Sequence, residues 1–155
     1  MNFNSPNQVV IAGHVEAIDR AIDAAKAAGA KRAVKLPVSV PVHSSLMDEA
    51  AARFAEKVDA VTLSQPAWPV VQNVEAKAYD SVEAIRQALR QHVNSPVRWA
   101  DSVLAMRAGG AETFIEFGPG KVLAGLCKRI DRGINALCVE NPDSLEKALQ
   151  ATRGE

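Results

Sequence analysis

Hydrophobic positions along this chain switch repeatedly between two periods. Gln8–Ala12 is a short β-branched run that Gly13 ends, which predicts a strand. Val15, Ile18, Ala21, Ile22 and Ala25 then recur at helical spacing, and Gly29 stops that helix. Arg32–Leu36 reads as the next strand, so the opening segment of the chain predicts one β-α-β unit. Leu46, Ala50, Phe54 and Val58 step along a helix over Ser45–Val61, and Val70–Asn73 follows as a short strand. Ser81 can cap a helix running to Gln91, with Val82, Ile85 and Leu89 on one face. Pro96 predicts a helix over Val97–Arg107 as its first-turn proline. Thr113–Phe117 is a strand, Lys121–Ile130 a helix and Ala136–Val139 a strand. Ser144 caps a last helix to Gln150. Alternating strands and helices define an α/β class with a largely parallel sheet.

Composition supports a packed core of small aliphatic side chains. The 155 residues are 48% hydrophobic but only 5% aromatic. The formal net charge is zero, so no basic excess points to nucleic acid or an anionic membrane surface. No apolar run approaches the ~18 residues of a membrane span, and no signal peptide opens the chain, so a cytoplasmic setting is expected. Cys127 and Cys138 fall in different predicted elements and read as reduced thiols, although a bridge is open to them.

Three segments can carry chemistry. In "LPVSVPVHSSLM", His43 sits between a predicted strand and a helix, where α/β proteins gather functional residues. From position alone, His43 reads as an ordinary loop histidine sooner than as a base. His14 starts a helix, and no histidine has metal-ligand spacing to another, so no metal site is expected. "EFGPGKVLAGL" carries a strand through Gly118-Pro119-Gly120 into a helix. It lacks phosphate-loop spacing and reads as a tight turn able to frame a cleft. In "NSPVRWADSV", Trp99 reads as a core anchor.

Together, "NFNSPNQVVIAG", "LPVSVPVHSSLM", "NSPVRWADSV" and "FIEFGPGKVLAGLCKRI" resemble the second half of the malonyl-CoA:acyl carrier protein transacylases, from Asn2 to about Arg132. The resemblance implies part of a hydrolase-like parallel-sheet core (residues 39–155) and the second half of a ferredoxin-like small subdomain (residues 1–38). It implies acyl transfer from malonyl-CoA to a serine and then to an acyl carrier protein thiol, with no covalently bound cofactor. His43 matches the family's catalytic histidine, which accepts the serine proton and returns it to the leaving thiolate. A main-chain carbonyl near a glutamine supports that histidine in the family. Counting back four residues from Pro96 reaches His92, with Gln91 beside it, a departure from the pattern. Asn2, Asn4, Gln8 and Val42 match positions near the acyl or pantetheine cleft.

None of the nine serines (5, 39, 44, 45, 64, 81, 95, 102 and 144) stands in a G-x-S-x-G elbow. The expectation is therefore a C-terminal portion, inactive alone, whose partners are malonyl-CoA, an acyl carrier protein and the missing N-terminal half, or a second copy. The alternative is a non-catalytic module that binds a carrier protein or that half.

Overall fold

The computed structural model describes residues 1–153, so the last two positions of the expected core span lie outside the described residues. The chain opens with a hairpin that the hydrophobic pattern only half announces. β1 (Asn2–Ser5) pairs antiparallel with β2 (Gln8–Val10), with Asn2 opposite Val10 and a register irregularity before Ser5. The polar side chains of Asn2 and Asn4 hide β1 from a search for apolar runs.

α1 (Val15–Ala27) follows, and Gly29 adopts a positive φ of 89° just past its C-cap Ala28. That left-handed conformation costs glycine nothing, which is why the helix stops there. Arg32–Leu36 is not a strand, contrary to expectation: it is in no ladder among the described residues. Its sequence suits a strand, but strand structure needs a neighbour to bond, and none lies beside it.

A single 3-10 turn, Ser45–Met47, leads into α2 (Asp48–Ala60), which packs on α3 (Val82–Arg90). Ser81 caps α3 as expected, its Oγ accepting the Ala84 N–H at 3.2 Å. Val70–Asn73 does not form the expected strand. Only Gln72 bridges to Lys77, closing a turn.

α4 spans Trp99–Ala108, not Val97–Arg107. Val97 is unavailable to a helix because β1 uses both its backbone groups: the Phe3 N–H donates to Val97 O at 2.8 Å, and Val97 N–H to Met1 O at 3.0 Å. Pro96 therefore ends an extended stretch instead of starting a helix.

The C-terminal part matches the expected elements closely. β3 (Thr113–Phe117) runs parallel to β4 (Asn135–Val139) in continuous register, with α5 (Val122–Ile130) as the crossover. Glu116 braces the turn between them, its carboxylate accepting the Leu123 and Ala124 N–H groups at 3.2 and 2.8 Å. An anionic acceptor at these otherwise unpartnered amides stabilises the helix start. α6 (Pro142–Arg153) closes the chain. Its cap is Asn141, not Ser144: Asn141 Oδ1 accepts the Ser144 N–H at 2.9 Å, and Ser144 Oγ accepts the Asn141 N–H at 3.0 Å. Ser144 is the reciprocal third-position partner of a capping box, with Pro142 at the first helical position.

The main core lies between α4, α5 and the β3–β4 pair. Val103, Ala124, Cys127, Ile134 and Ala136 are buried there, ringed by Trp99, Met106, Phe114, Ile130 and Cys138. Both cysteines are free thiols. Burial, chiefly, and then the nearby Glu116 carboxylate push the Cys127 thiol pKa up, so it behaves as an apolar core group. Arg107 reaches from α4 to Asp131 after α5 at 2.9 Å. The Gly133 N–H and then Arg107 hold the Asp131 carboxyl below the ordinary range. No helix among the described residues is long and apolar enough to cross a membrane.

Candidate functional site

The two prolines of "LPVSVPVH" shape the approach to His43. The Val38 N–H bonds Leu36 O at 2.8 Å and the Val42 N–H bonds Val40 O at 2.9 Å, so two tight three-residue turns bracket Ser39. His43 itself has a positive φ of 61°, uncommon for a non-glycine residue and worth about 1–3 kcal/mol of local strain. Hydrogen bonds hold it there. Its backbone N–H donates to Val93 O at 2.9 Å, and its carbonyl accepts from the amino group of Met1.

The ring is held by the turn that links α3 to α4. His43 Nδ1 lies 3.0 Å from His92 O and 3.1 Å from Ser95 O. Carbonyl oxygens only accept, so Nδ1 must carry the proton and donate to both. Nε2 then keeps a lone pair, and it makes no hydrogen bond among the described residues. This is the tautomer a general base needs, fixed by the bond at the other ring nitrogen.

His92 contributes its main chain to this arrangement. Its N–H follows α3, bonding Leu89 O at 3.1 Å, which turns its carbonyl toward His43. The departure from the family's glutamine therefore leaves the supporting atom, a backbone oxygen, in place. Gln91 stands one step back: it is exposed, and its carbonyl accepts the Ser95 N–H at 2.9 Å, fixing the turn but not touching His43. Sequence reasoning missed Ser95 and Val93. Ser95 had a usable signal, since a residue before proline is driven out of helical conformation and its carbonyl is freed from the helix ladder.

His43 opens onto a groove of about 300 Å³ that is also lined by Val42, Phe54, Asn73, His92, Val93 and Val97. Asn2 pairs with Val97 in a parallel bridge, so β1 is tied to the same turn that holds His43. Asn4 and Gln8 bond each other across the hairpin at 3.4 Å and do not line the groove. Ser44, beside the base, has its Oγ committed to Pro41 O at 2.6 Å. Gly118 and Gly120 both take positive φ, 125° and 94°, so the Gly-Pro-Gly turn needs glycine at both ends. Among the described residues no group of three or more His, Cys, Asp or Glu side chains could hold a metal ion.

The His92 ring lowers its own proton affinity by position. Burial, chiefly, and then His43 push its pKa below the ordinary 6.5, and its Nε2 is buried without a partner. The folded state thus binds protons at His92 less readily than the unfolded chain. The stability this contributes is full above the unfolded value of about 6.5 and is lost as pH falls through it toward the folded value. Urea unfolding between about pH 7.5 and 5.5 should therefore show falling stability, with a shallower slope for His92→Gln. An unchanged slope in that variant would remove His92 as the source.

The described residues form an α/β unit in which helices flank a two-stranded parallel sheet and a backbone-held histidine lines a groove. The chain belongs to the acyl transferase domain family, whose model matches residues 1–135. It is 50% identical to the malonyl CoA-acyl carrier protein transacylase of Escherichia coli over 97% of its length, and 40% identical to that of Bacillus subtilis over 99%. Among solved structures it superposes with a TM-score of 0.93 on the malonyl-CoA:acyl carrier protein transacylase of Xanthomonas oryzae (45% identity, 97% of this chain and 48% of that one). It also superposes, with a TM-score of 0.94, on a malonyl-transacylase solved in complex with a type II PKS acyl-carrier protein (48% identity, 97% of this chain and 49% of that one). The chain spans about half the length of the curated relatives it matches.

Proposed function

We propose that this chain is the base-carrying C-terminal portion of a malonyl-CoA:acyl carrier protein S-malonyltransferase of fatty acid biosynthesis. The observation that carries this reading is the geometry of His43, whose Nδ1 lies within hydrogen-bonding distance of two main-chain carbonyls while Nε2 has no partner among the described residues. In this role Nε2 takes the proton of a serine hydroxyl as the oxygen attacks the malonyl thioester carbon, and then gives that proton to the departing coenzyme A thiolate. The second half-reaction repeats the exchange with the carrier protein's thiol as acceptor. The serine and its oxyanion donors come from an N-terminal portion, since this sequence has no G-x-S-x-G elbow. Residues 1–38 then belong to the small subdomain and 39–155 to the core. Asn2 and Val42 are the cleft positions best supported by geometry, with Asn4 and Gln8 stabilising the hairpin behind them. The setting is the cytoplasm, supported by the absence of any candidate membrane helix among the described residues.

Mass spectrometry tests the division of labour. With malonyl-CoA and a separately supplied N-terminal portion, a malonyl adduct should appear on the serine-bearing polypeptide and not on this chain. An adduct on this chain would place the nucleophile here and refute the reading. A mixture that forms no adduct but binds a carrier protein would favour the non-catalytic module instead.

A further inference from the structure

Three contacts of His43 end in the turn formed by residues 92–95, between α3 and α4. Nδ1 lies 3.0 Å from His92 O and 3.1 Å from Ser95 O, and the His43 backbone N–H reaches Val93 O at 2.9 Å. The tautomer of the base is therefore only as well defined as the placement of that turn against residue 43. The fourth member of the turn, Asn94, does not bond His43. Its Nδ2 donates instead to Asp48 Oδ1 at 2.8 Å, and Asp48 opens α2 just past the 3-10 turn that follows His43. Apart from the contacts to the His43 ring, this is the only side-chain hydrogen bond of residues 92–95 among the described residues. A carboxylate only accepts, so the Asn94 amide must present its NH2 group. The first turn of a helix favours an ionised carboxylate, and an ionised acceptor strengthens the bond.

We propose that Asn94 is a positioning residue for the base: by tying the 92–95 turn to Asp48, it holds the His92 and Ser95 carbonyls under the His43 ring. This rests on the reading of His43 as the general base of the transferase. The turn is fastened to the His43–Asp48 segment at two places, by His43 at one end and by Asn94 at the other. Without the second tie the turn can pivot on the first, and the two carbonyls no longer stay aligned with Nδ1. Neither Asn94 nor Asp48 lines the groove, so the tie acts on the proton-transfer geometry and not on substrate binding.

Long-range proton–nitrogen NMR on this chain, carrying isotope-labelled histidine, reads the ring directly, with His43 assigned by its loss in His43→Gln. Above the ordinary histidine pKa, the parent should hold its proton on Nδ1 and leave Nε2 bare. Asn94→Ala should give a ring that exchanges between the two tautomers. In the pair reconstituted with an N-terminal transacylase portion, the same variant should lower kcat by roughly tenfold and leave KM for malonyl-CoA unchanged. Asn94→Asp sets two carboxylates against each other and should do at least as much. Asp48→Asn combined with Asn94→Asp exchanges donor and acceptor, so it should restore both the Nδ1 proton and kcat. Unfolding midpoints should barely move, because the pair lies outside the main core and Asp48 is exposed. A ring that stays protonated on Nδ1 in Asn94→Ala, or a double variant that transfers no better than Asn94→Asp, overturns the proposal. A tautomer that responds to Asn94→Ala in a transferase indifferent to His43→Ala would sink the catalytic reading and leave the tie standing.

Discussion

In a complex reconstituted from this chain and a serine-bearing N-terminal portion, His43→Ala should lower malonyl transfer by about three orders of magnitude or more. The size follows from how the reaction uses the residue. A serine hydroxyl is a weak nucleophile until a neighbouring lone pair accepts its proton, and removing one member of such a unit forfeits nearly all that the unit supplies. Here Nε2 has that lone pair because Nδ1 donates to His92 O and Ser95 O. His43→Gln keeps a similar volume but cannot shuttle a proton, so it should fall nearly as far. Circular dichroism and complex formation should be unchanged, because the ring meets the open groove and not the main core. Transfer within tenfold of the parent by either variant would remove His43 from the mechanism.

The second large effect is on stability. Among the described residues, Val103 is the side chain buried to 0% exposure. It sits where α4 meets α5 and the β3–β4 pair, among Ala124, Cys127, Ile134 and Ala136. Removing its two methyl groups loses their burial and leaves a residual cavity, so Val103→Ala should cost about 2 kcal/mol. In a chain this size, that is a large share of total stability and should lower the melting temperature by several degrees. Val103→Thr preserves shape, and its hydroxyl can bond the Trp99 carbonyl one turn back, so it should cost less than alanine. A loss below about 0.5 kcal/mol for Val103→Ala would show that this cluster is not what holds the fold.

Sequence legibility followed local self-sufficiency. β3 was readable to the residue because "TFIEF" is rich in β-branched and aromatic residues and Gly118 ends it, and its partner β4 lies one crossover away in the same chain. α3 was readable because Ser81 caps it by a local bond. Arg32–Leu36 misled because strand propensity says nothing about whether a neighbour is present. Val97 misled because its backbone is claimed by β1, 94 residues away along the chain from Phe3, and no local pattern encodes that bond. Ser144 was found as a capping residue but placed three positions from the true cap, because Asn141 and Ser144 cap each other.

The site divides along the same line. His43 was visible from its place between a strand-like run and a helix, and the resemblance of four motifs gave it a role. The His92 carbonyl was anticipated by counting from Pro96. That Ser95 would supply a second carbonyl, and Val93 a backbone anchor, depends on how the α3–α4 turn curls under the ring. The Asn4–Gln8 contact likewise depends on the hairpin bringing two amides together, which no apolar pattern announces.

We propose that this chain holds a poised base whose serine lies in the N-terminal portion of the transacylase. Transfer of labelled malonyl from malonyl-CoA to an acyl carrier protein tests it most directly, measured with this chain alone and again with an N-terminal transacylase portion added. No transfer above background is expected from either part alone, and restored transfer is expected from the pair. Transfer by this chain alone, or a pair that forms a complex yet stays inactive, would contradict it.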